Sequence, residues 1–563
     1  MKRAYKIFWI LLLVLIPIFP LSGITYGVDI SDVGFSLNQY YFGPGDIGTV
    51  CLPILLSAMM GSVWLKLCGV FAIPDYFGME IAWILALYYM CFLSYRIYKK
   101  YRDDSLILPA LVLAELFAKC NFHYFIYTTA VAVVALTALY FLILGLNEKK
   151  PLHLAVSVFF VMMATLCKVS SLMLLATFVV LFYDFYRKRD ARYFWKQILY
   201  CVLGFVAGIA VALILIQATC GIVAYADKFV EMFLYAGTSK DGHTLGDMVM
   251  SNLKGAMRGA VLLALLYVAS LIPKKIAGLK KVFRYGVPAV LVLLVIGGFA
   301  GLSRVPGFST LYGMATDYFN ALTVAVALIY IVTILILRDK SYSEEFKYLV
   351  LSSAIMTLLL PIGSNTGIYH VCNEIFFVMP FIVIYIGDRL RKSERFSTGT
   401  VLAWAAVVWC VCLTTYQSLY LTRAYYAAEK AGQVKQFTIE ELRFMSYEET
   451  EVDELSGVTR FLKQYAGGER RLLVAGAAPL LNYLSGIAPF NTGCGGWIQT
   501  EHITRETVEE ELADATVKPI VVFCETHVGE NMEKPELVRA YVDGNDYELV
   551  YENDEYSVYV PVE

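Results

Sequence analysis

Gly27-Val28-Asp29-Ile30-Ser31-Asp32-Val33-Gly34-Phe35 stands just after the first long apolar run of the chain, 7–23, and opens its first long loop. Acidic residues beside a bilayer surface are costly unless something uses them. Their meaning depends on the side of the membrane they face and on what shares that side. A membrane follows from the rest of the chain: 58% of its 563 residues are apolar and only 17% are charged, and the mean hydropathy is +0.62. Apolar runs of that number and length describe a polytopic membrane protein. A net charge of −2 identifies no partner, and no nucleic-acid ligand is expected. The twelve cysteines are scattered, mostly within apolar segments, with no Cys-x-x-Cys and no Cys/His ligand spacing. Neither a disulfide framework nor a zinc site is indicated; Cys494 and Cys524, in the polar tail, are the one pair left open for a bridge.

Lysine and arginine concentrate on the cytoplasmic side of membrane proteins, so the basic clusters orient the loops. Clusters fall at 2–6, 96–102, 149–150, 187–196, 274–284, 338–347 and 389–395. If all are cytoplasmic, each interval between them holds an even number of crossings. Residues 106–146 then give two helices with an apex at 119–124, and 152–184 give two short helices with an apex at 167–171. Runs 198–217 and 257–273, 286–302 and 319–337, and 347–361 and 375–387 flank three outer loops. The first interval holds three runs, 7–23, 50–72 and 79–95, of which two can cross. The middle one carries Pro53, Lys66 and several Gly and Ser, and reads as a juxtamembrane or re-entrant helix on the outer side. The first could be a signal peptide, yet no small-residue cleavage site follows it, so it is kept as a span. With a last span at 399–416 the expectation is thirteen crossings, a cytoplasmic N-terminus and an extracytoplasmic C-terminal segment in a plasma membrane.

That segment differs in kind. From about residue 438 the charged fraction rises, and 438–563 reads as a small α/β domain following a membrane domain over 1–420, whose first outer loop occupies 24–78. An amphipathic helix is expected at 452–465, a strand at 471–475, a helix at 478–485, a buried strand at 520–524 and a hairpin of 547–551 with 556–560. Gly-Ala-Ala-Pro at 476–479 reads as a strand-to-helix turn, and no Gly-rich phosphate loop is present.

The topology gathers one set of polar residues on the outer face: Asp29, Asp32, Asn38 and Gln39 from the first loop; Lys119, Asn121, His123 and Tyr124 from the second apex; Lys168, Ser170 and Ser171 from the third. Later loops add Arg258, Arg304, the stretch around Asn365 and His370, then Asn373 and Glu374. Each has a plain structural explanation. A loop Asp commonly caps a helix, a lysine at a helix end commonly snorkels, and His123 beside a tyrosine commonly packs. Lys168 is harder to dismiss, because spans of about 16 residues barely cross a core of roughly 30 Å. Its ammonium therefore sits near or below the interface and needs a carboxylate or an anionic lipid group as partner. A carboxylate base beside cations at the outer interface suits transfer of a group from a lipid phosphate, the cations holding the phosphate and the carboxylate taking a proton from the attacking hydroxyl.

Asp-Val-Gly-Phe-Ser-Leu-Asn-Gln-Tyr at 32–40 resembles the acidic first-loop motif of the GT-C membrane glycosyltransferases, which include protein O-mannosyltransferases and the aminoarabinose transferases of lipid A. The apolar 50–72 run is similar to that family's juxtamembrane helix, Leu-Cys-Lys-Val-Ser-Ser-Leu-Met-Leu-Leu at 166–175 to its Leu-Thr-Lys-x-x-x-Leu-Leu hairpin, and Ala-Pro-Leu-Leu-Asn-Tyr-Leu-Ser-Gly at 478–486 to a segment of its bacterial branch. Two departures stand out: Val33 replaces the second acid of the loop pair, and Leu52-Pro53 stands where the family often has Pro-Pro.

The resemblance implies an inverting transferase that takes a sugar from a polyprenyl-phosphate-linked donor lipid to an acceptor hydroxyl of a cell-envelope glycan, lipid or protein. Asp32 is its expected base and Asp29 the reserve; Lys168, Lys119 and Arg304 are the expected donor-phosphate ligands, and His123, Tyr124, Asn365 and His370 the expected substrate contacts. No cofactor is certain, no metal ligand set is assigned, and a divalent metal is left open. Competing readings are a transporter or lipid flippase, which would carry charges at mid-membrane and internal symmetry, an O-antigen-type ligase or polymerase with a late outer loop rich in Arg and His, and a non-catalytic scaffold for the tail. No two halves of the chain match, and the 218–256 loop holds only Lys228, Lys240, His243 and Lys254.

Overall fold

Helix follows helix through the first two thirds of the computed structural model, which describes residues 10, 13–119, 123–238, 318–363, 371–392, 434–490, 495–498, 503–525 and 533–562, with isolated positions between 246 and 261. Residues 13–18 are helical and close on a 3-10 turn, Phe19–Leu21. The first loop then folds into a helix of its own, α1 (Asp32–Phe42), ahead of α2 (Leu55–Val70) and α3 (Asp75–Tyr98). Next come α4 (Asp104–Ala118), α5 (Tyr127–Asn147) and α6 (Pro151–Cys167), the last started by a proline whose missing N–H costs nothing at that position. A 3-10 run, Val169–Phe178, leads into α7 (Val179–Lys188), which ends on Arg189 in the left-handed region. The Asp190 carboxylate accepts from the Tyr193 N–H and so caps α8 (Ala191–Thr219); α9 (Ile222–Thr238) follows. After α10 (Tyr318–Arg338), Ser343 caps α11 (Glu344–Leu359), and α12 (Val371–Lys392) completes the described bundle.

Among the described residues six helical segments are long and apolar enough to cross a membrane, Leu52–Val70, Asp75–Tyr98, Tyr127–Asn147, Val169–Lys188, Ala191–Thr219 and Val371–Arg389, with Pro151–Cys167 and Ala325–Arg338 shorter. Both expected apexes are present, between α4 and α5 and between α6 and the 3-10 run. The 50–72 run is a 3-10 turn and α2, with the length of a span. The expected spans 257–273, 286–302 and 399–416 lie outside the described residues or touch only isolated positions.

Inside the bundle, α5 packs along α6, α6 along α8, and α12 along α4. The α3–α12 contact shows how a membrane helix tolerates a proline. Pro380 has no N–H, which strips the Phe376 carbonyl of its intrahelical donor. The Ser94 hydroxyl donates to that carbonyl at 2.8 Å, and the Tyr98 hydroxyl to the next one, Phe377, at 2.5 Å. In hydrocarbon no water would do so.

The C-terminal part opens on a two-stranded antiparallel pair, β1 (Val434–Gln436) and β2 (Ser446–Glu448). It continues through α13 (Glu449–Leu462), β3 (Leu472–Ala475), α14 (Leu480–Ser485), α15 (Arg505–Ala513), β4 (Ile520–Cys524), α16 (Glu533–Asp543), β5 (Tyr547–Glu552) and β6 (Tyr556–Pro561). The sheet order is β3-β4-β6-β5, parallel between β3 and β4 (Leu472 opposite Ile520) and antiparallel elsewhere. Every residue of β3 and β4 is buried, as befits the interior of a covered sheet. The β5–β6 turn is fastened by Asn553, whose side-chain oxygen accepts from the Tyr556 N–H at 2.7 Å and the Glu555 N–H at 3.1 Å. Cys524 is a buried free thiol, and Cys494 lies outside the described residues.

One hydrophobic cluster runs without a break from the helices (Leu87, Leu139, Phe377) through the first loop (Val33, Leu37) into the sheet region (Leu480, Val522, Val558). A second lies on the far face of the sheet and takes in Phe35 of α1.

Candidate functional site at the first loop

α1 is the site's scaffold. From Val33 to Tyr40 every residue of it is buried, which a solvent-facing loop helix would not be. The cover is the C-terminal region. The Leu480 N–H donates to the Ile30 carbonyl at 3.1 Å, and the Asn38 amide donates to the carbonyls of Pro479 at 2.8 Å and Gly495 at 2.6 Å. Gly34 makes the approach possible: a Cβ there would lie 2.3 Å from the Leu480 nitrogen and 2.6 Å from its Cα, so only glycine fits. Outside this contact, Arg471 pairs with Asp46 at 2.7 Å, the Tyr483 hydroxyl donates to Asp75 at 3.2 Å, and Ser446 bonds the backbone around Thr25 and Gly27.

The two aspartates have different surroundings. Asp29 is 1% exposed. One of its carboxylate oxygens accepts from the Ser31 N–H at 2.8 Å and the Ser31 hydroxyl at 3.0 Å; the other has no hydrogen-bond partner among the described residues. Its own N–H donates to the Tyr76 hydroxyl at 2.6 Å. Burial raises its pKa above the ordinary carboxylate value, against the lowering effect of the Ser31 bonds. Asp32 is the first residue of α1 and is half-buried. Burial, and after it the negative charge of Asp29, pushes its carboxyl up to about 7. Two acids this close resist joint ionisation, which suits a group that exchanges protons near neutrality.

Tyr40, one face of α1 further on, ties the first loop to the first of the two helical apexes. Its hydroxyl donates to the Phe125 carbonyl at 3.3 Å, while the 3-10 turn Leu52–Ile54 and α2 pack on α6, which ends at Cys167. Lys168 follows directly. It is 8% exposed, and its ammonium donates to the Leu360 carbonyl at 2.9 Å. Burial lowers its pKa, and the negative charge of Glu374 acts against that shift. The first loop, the two apexes and the 360–363 turn thus meet at one end of the bundle.

Lys119 is engaged differently. Its ammonium donates to the carbonyls of Phe19 at 3.1 Å, Pro20 at 3.5 Å and Ser22, and to the Ser22 hydroxyl, and it lies 5.2 Å from the Phe19 ring centroid. It clamps the start of the first loop. His123 contacts the Lys119 carbonyl through its ring nitrogen and tilts against Trp83 at 5.1 Å. Burial and the Lys119 charge push it down to about 4, so the ring is neutral at ordinary pH. Tyr124 is buried beneath the aspartates, edge-on to Tyr76 at 5.3 Å, with its hydroxyl 3.4 Å from the Gly27 carbonyl. Arg304, Asn365 and His370 lie outside the described residues. Among the described residues no three His, Cys, Asp or Glu side chains gather as metal ligands would.

The sequence reading missed Tyr76 and the Gly34–Leu480 contact. The first sits in the short link between the apolar runs 50–72 and 79–95, where a tyrosine carries no signal of its own, and the second joins residues 446 positions apart, which no local signal encodes.

No family model and no curated protein matches the chain. Among solved structures it is similar to ArnT from Cupriavidus metallidurans in the apo state, at 12% identity over 99% of this chain and 98% of that one with a TM-score of 0.44. It is also similar to ArnT from the same organism bound to undecaprenyl phosphate, at 12% identity over 98% and 97% with a TM-score of 0.43.

Proposed function

We propose that this chain is an integral-membrane glycosyltransferase that moves a sugar from a polyprenyl-phosphate-linked donor to an acceptor hydroxyl, with Asp32 as general base. The observation that carries the reading is the half-buried Asp32 carboxyl, poised near neutrality on a helix locked between the bundle and the C-terminal region, at the end that also holds buried Lys168.

In the proposed step the acceptor hydroxyl gives its proton to the Asp32 carboxylate. Its oxygen forms the new bond to the anomeric carbon, from the face opposite the phosphate. The bond from that carbon to the phosphate oxygen breaks, and the electron pair leaves with the polyprenyl phosphate, whose added charge Lys168 offsets. Asp32 then returns its proton to water. Asp29 tunes Asp32, Lys119 fixes the start of the loop, and Arg304, Asn365 and His370 remain proposed contacts to phosphate, sugar or acceptor. The site faces outward in this reading, with the acceptor arriving from outside the plasma membrane.

The test is transfer from a radiolabelled polyprenyl-phosphate sugar by membranes carrying the wild type or Asp32→Asn. General-base removal costs on the order of 10²–10⁴ in rate, so near-normal activity in a variant that accumulates normally would sink the base assignment.

A further inference from the structure

We propose that the C-terminal region rests on the lipid itself, with Phe444 of the turn before β2 set into the headgroup–acyl boundary beside an exposed apolar stripe of α2. The partner of this surface is the bilayer leaflet at the first-loop end of the bundle. The inference needs only the membrane fold and stands apart from the transferase reading.

α2 has the length of a span, yet both of its flanks are tied to the C-terminal region. Before it, the Thr49 carbonyl accepts from the Gly495 N–H at 3.0 Å and Asp46 pairs with Arg471 at 2.7 Å. After it, the Ala72 carbonyl accepts from the Arg443 guanidinium at 3.2 Å. A crossing helix delivers its ends to opposite faces of a bilayer, so α2 lies along one face. Exposed Val63, Leu67 and Val70 follow one another at helical spacing, and Phe71, just past the helix end, is 72% exposed. Lys66 is exposed next to Leu67, where its ammonium can reach a headgroup phosphate. Four residues beyond Phe71 begins α3, long and apolar enough to cross and itself exposing Leu85, Tyr89 and Phe92. The stripe therefore ends where a crossing helix enters the hydrocarbon.

Phe444 is brought to that point. The 3-10 turn Glu440–Leu442 packs on α3, and Arg443, bonded to Ala72, lies over the Phe444 ring at 4.8 Å. The ring stands edge-on to Phe77 of α3 at 5.4 Å and is still 42% exposed. Its backbone has a φ of +90°, and that of Ala72 across the Arg443 bond is +53°. A bulky side chain is strained in that region, where glycine is not. In water an outward ring would offset none of that strain. Removing its exposed area into lipid does offset it, as for the aromatic and aliphatic residues on the buried face of an interfacial helix.

The test is differential photolabelling of the full-length protein in phosphatidylcholine nanodiscs. One sample contains a phospholipid with a diazirine on its acyl chain close to the glycerol, the other a water-soluble diazirine, and labelled residues are mapped by mass spectrometry. Leu549 of β5 is as exposed as Phe444, at 42%, and serves as the water-facing reference; Phe92 is the lipid-facing one. Phe71 and Phe444 are expected to take the lipid label in excess, as Phe92 does, and Leu549 the water-soluble one. A lipid-to-water ratio at Phe444 no higher than at Leu549 overturns the proposal. So does a Phe444 that neither probe reaches, since a second copy or another protein would then cover it. Absence of lipid label at Phe92 overturns the membrane reading of α3 and this proposal with it.

Discussion

At Asp32 one carboxyl has to serve both folding and chemistry. Only the carboxylate form accepts a proton, so transfer should rise with pH through about 7 and level off above it. Asp29→Asn removes the negative neighbour, making Asp32 easier to ionise. The acidic limb of the pH–rate profile then moves to lower pH, and a limb that stays in place would show that Asp29 does not act on Asp32. Stability runs the other way. The folded value, about 7, exceeds the ordinary 3.8, so the contribution is complete below pH ~4 and is lost as pH rises through about 7. A neutral isostere carries no such loss. Asp32→Asn, inactive in transfer, is expected to melt at the same temperature as the wild type or higher at pH 8, by thermal unfolding in detergent.

At the scale of elements, two contacts decide whether the site is presented at all. Gly34 lets α1 touch the backbone at Leu480, and any side chain there must push the two apart. Gly34→Ala is expected to cost about 1–3 kcal/mol, the range for overpacking a filled core, and to lower transfer by misplacing Asp32. Normal activity with an unchanged melting temperature would show the contact to be slack. Deeper in the bundle, Ser94 satisfies the carbonyl that Pro380 leaves open. Ser94→Ala should cost roughly 1 kcal/mol, as polar contacts between membrane helices do, and Ser94→Ala combined with Pro380→Ala should recover most of it. These local devices differ in how far the sequence foretold them. The 520–524 strand and the 547–551/556–560 hairpin were legible from apolar runs and the Asn553-Asp554 turn, and β4 is Ile520–Cys524. The helix expected at 478–485 is the shorter α14, and the one at 452–465 starts three residues earlier and ends as a 3-10 turn. α15 and α16 were not anticipated: α15 is charged and weakly patterned, whereas α16 sets Val538 and Val542 at helical spacing, a signal the reading passed over.

For the whole molecule the outstanding quantity is sidedness. The charge pattern puts the C-terminal region and the first loop outside together, and their shared core requires them to be on one side whatever that side is. Cysteines introduced at the exposed positions Glu552 and Asp543 are expected to react with a membrane-impermeant maleimide in intact cells, as would one at Tyr41 of α1. Labelling only after lysis would invert the topology and remove the outer-face assignment. What the sequence determined by itself was whatever is periodic or compositional: a polytopic helical bundle, the two apexes, a polar α/β tail and the acidic loop that resembles a GT-C motif. Hydropathy and charge act over a turn or a span, so they can be read along the chain. Which acids and lysines share a site was decided only by tertiary structure. The helix that carries Asp32 is held by the Gly34–Leu480 and Asn38–Pro479 contacts, each joining residues more than 400 apart in sequence, the Lys168 ammonium is bonded to the Leu360 carbonyl, and Lys119 is turned back onto the carbonyls of Phe19, Pro20 and Ser22. Those pairings follow from shape and from the need of buried polar groups for partners, which only the folded chain can meet.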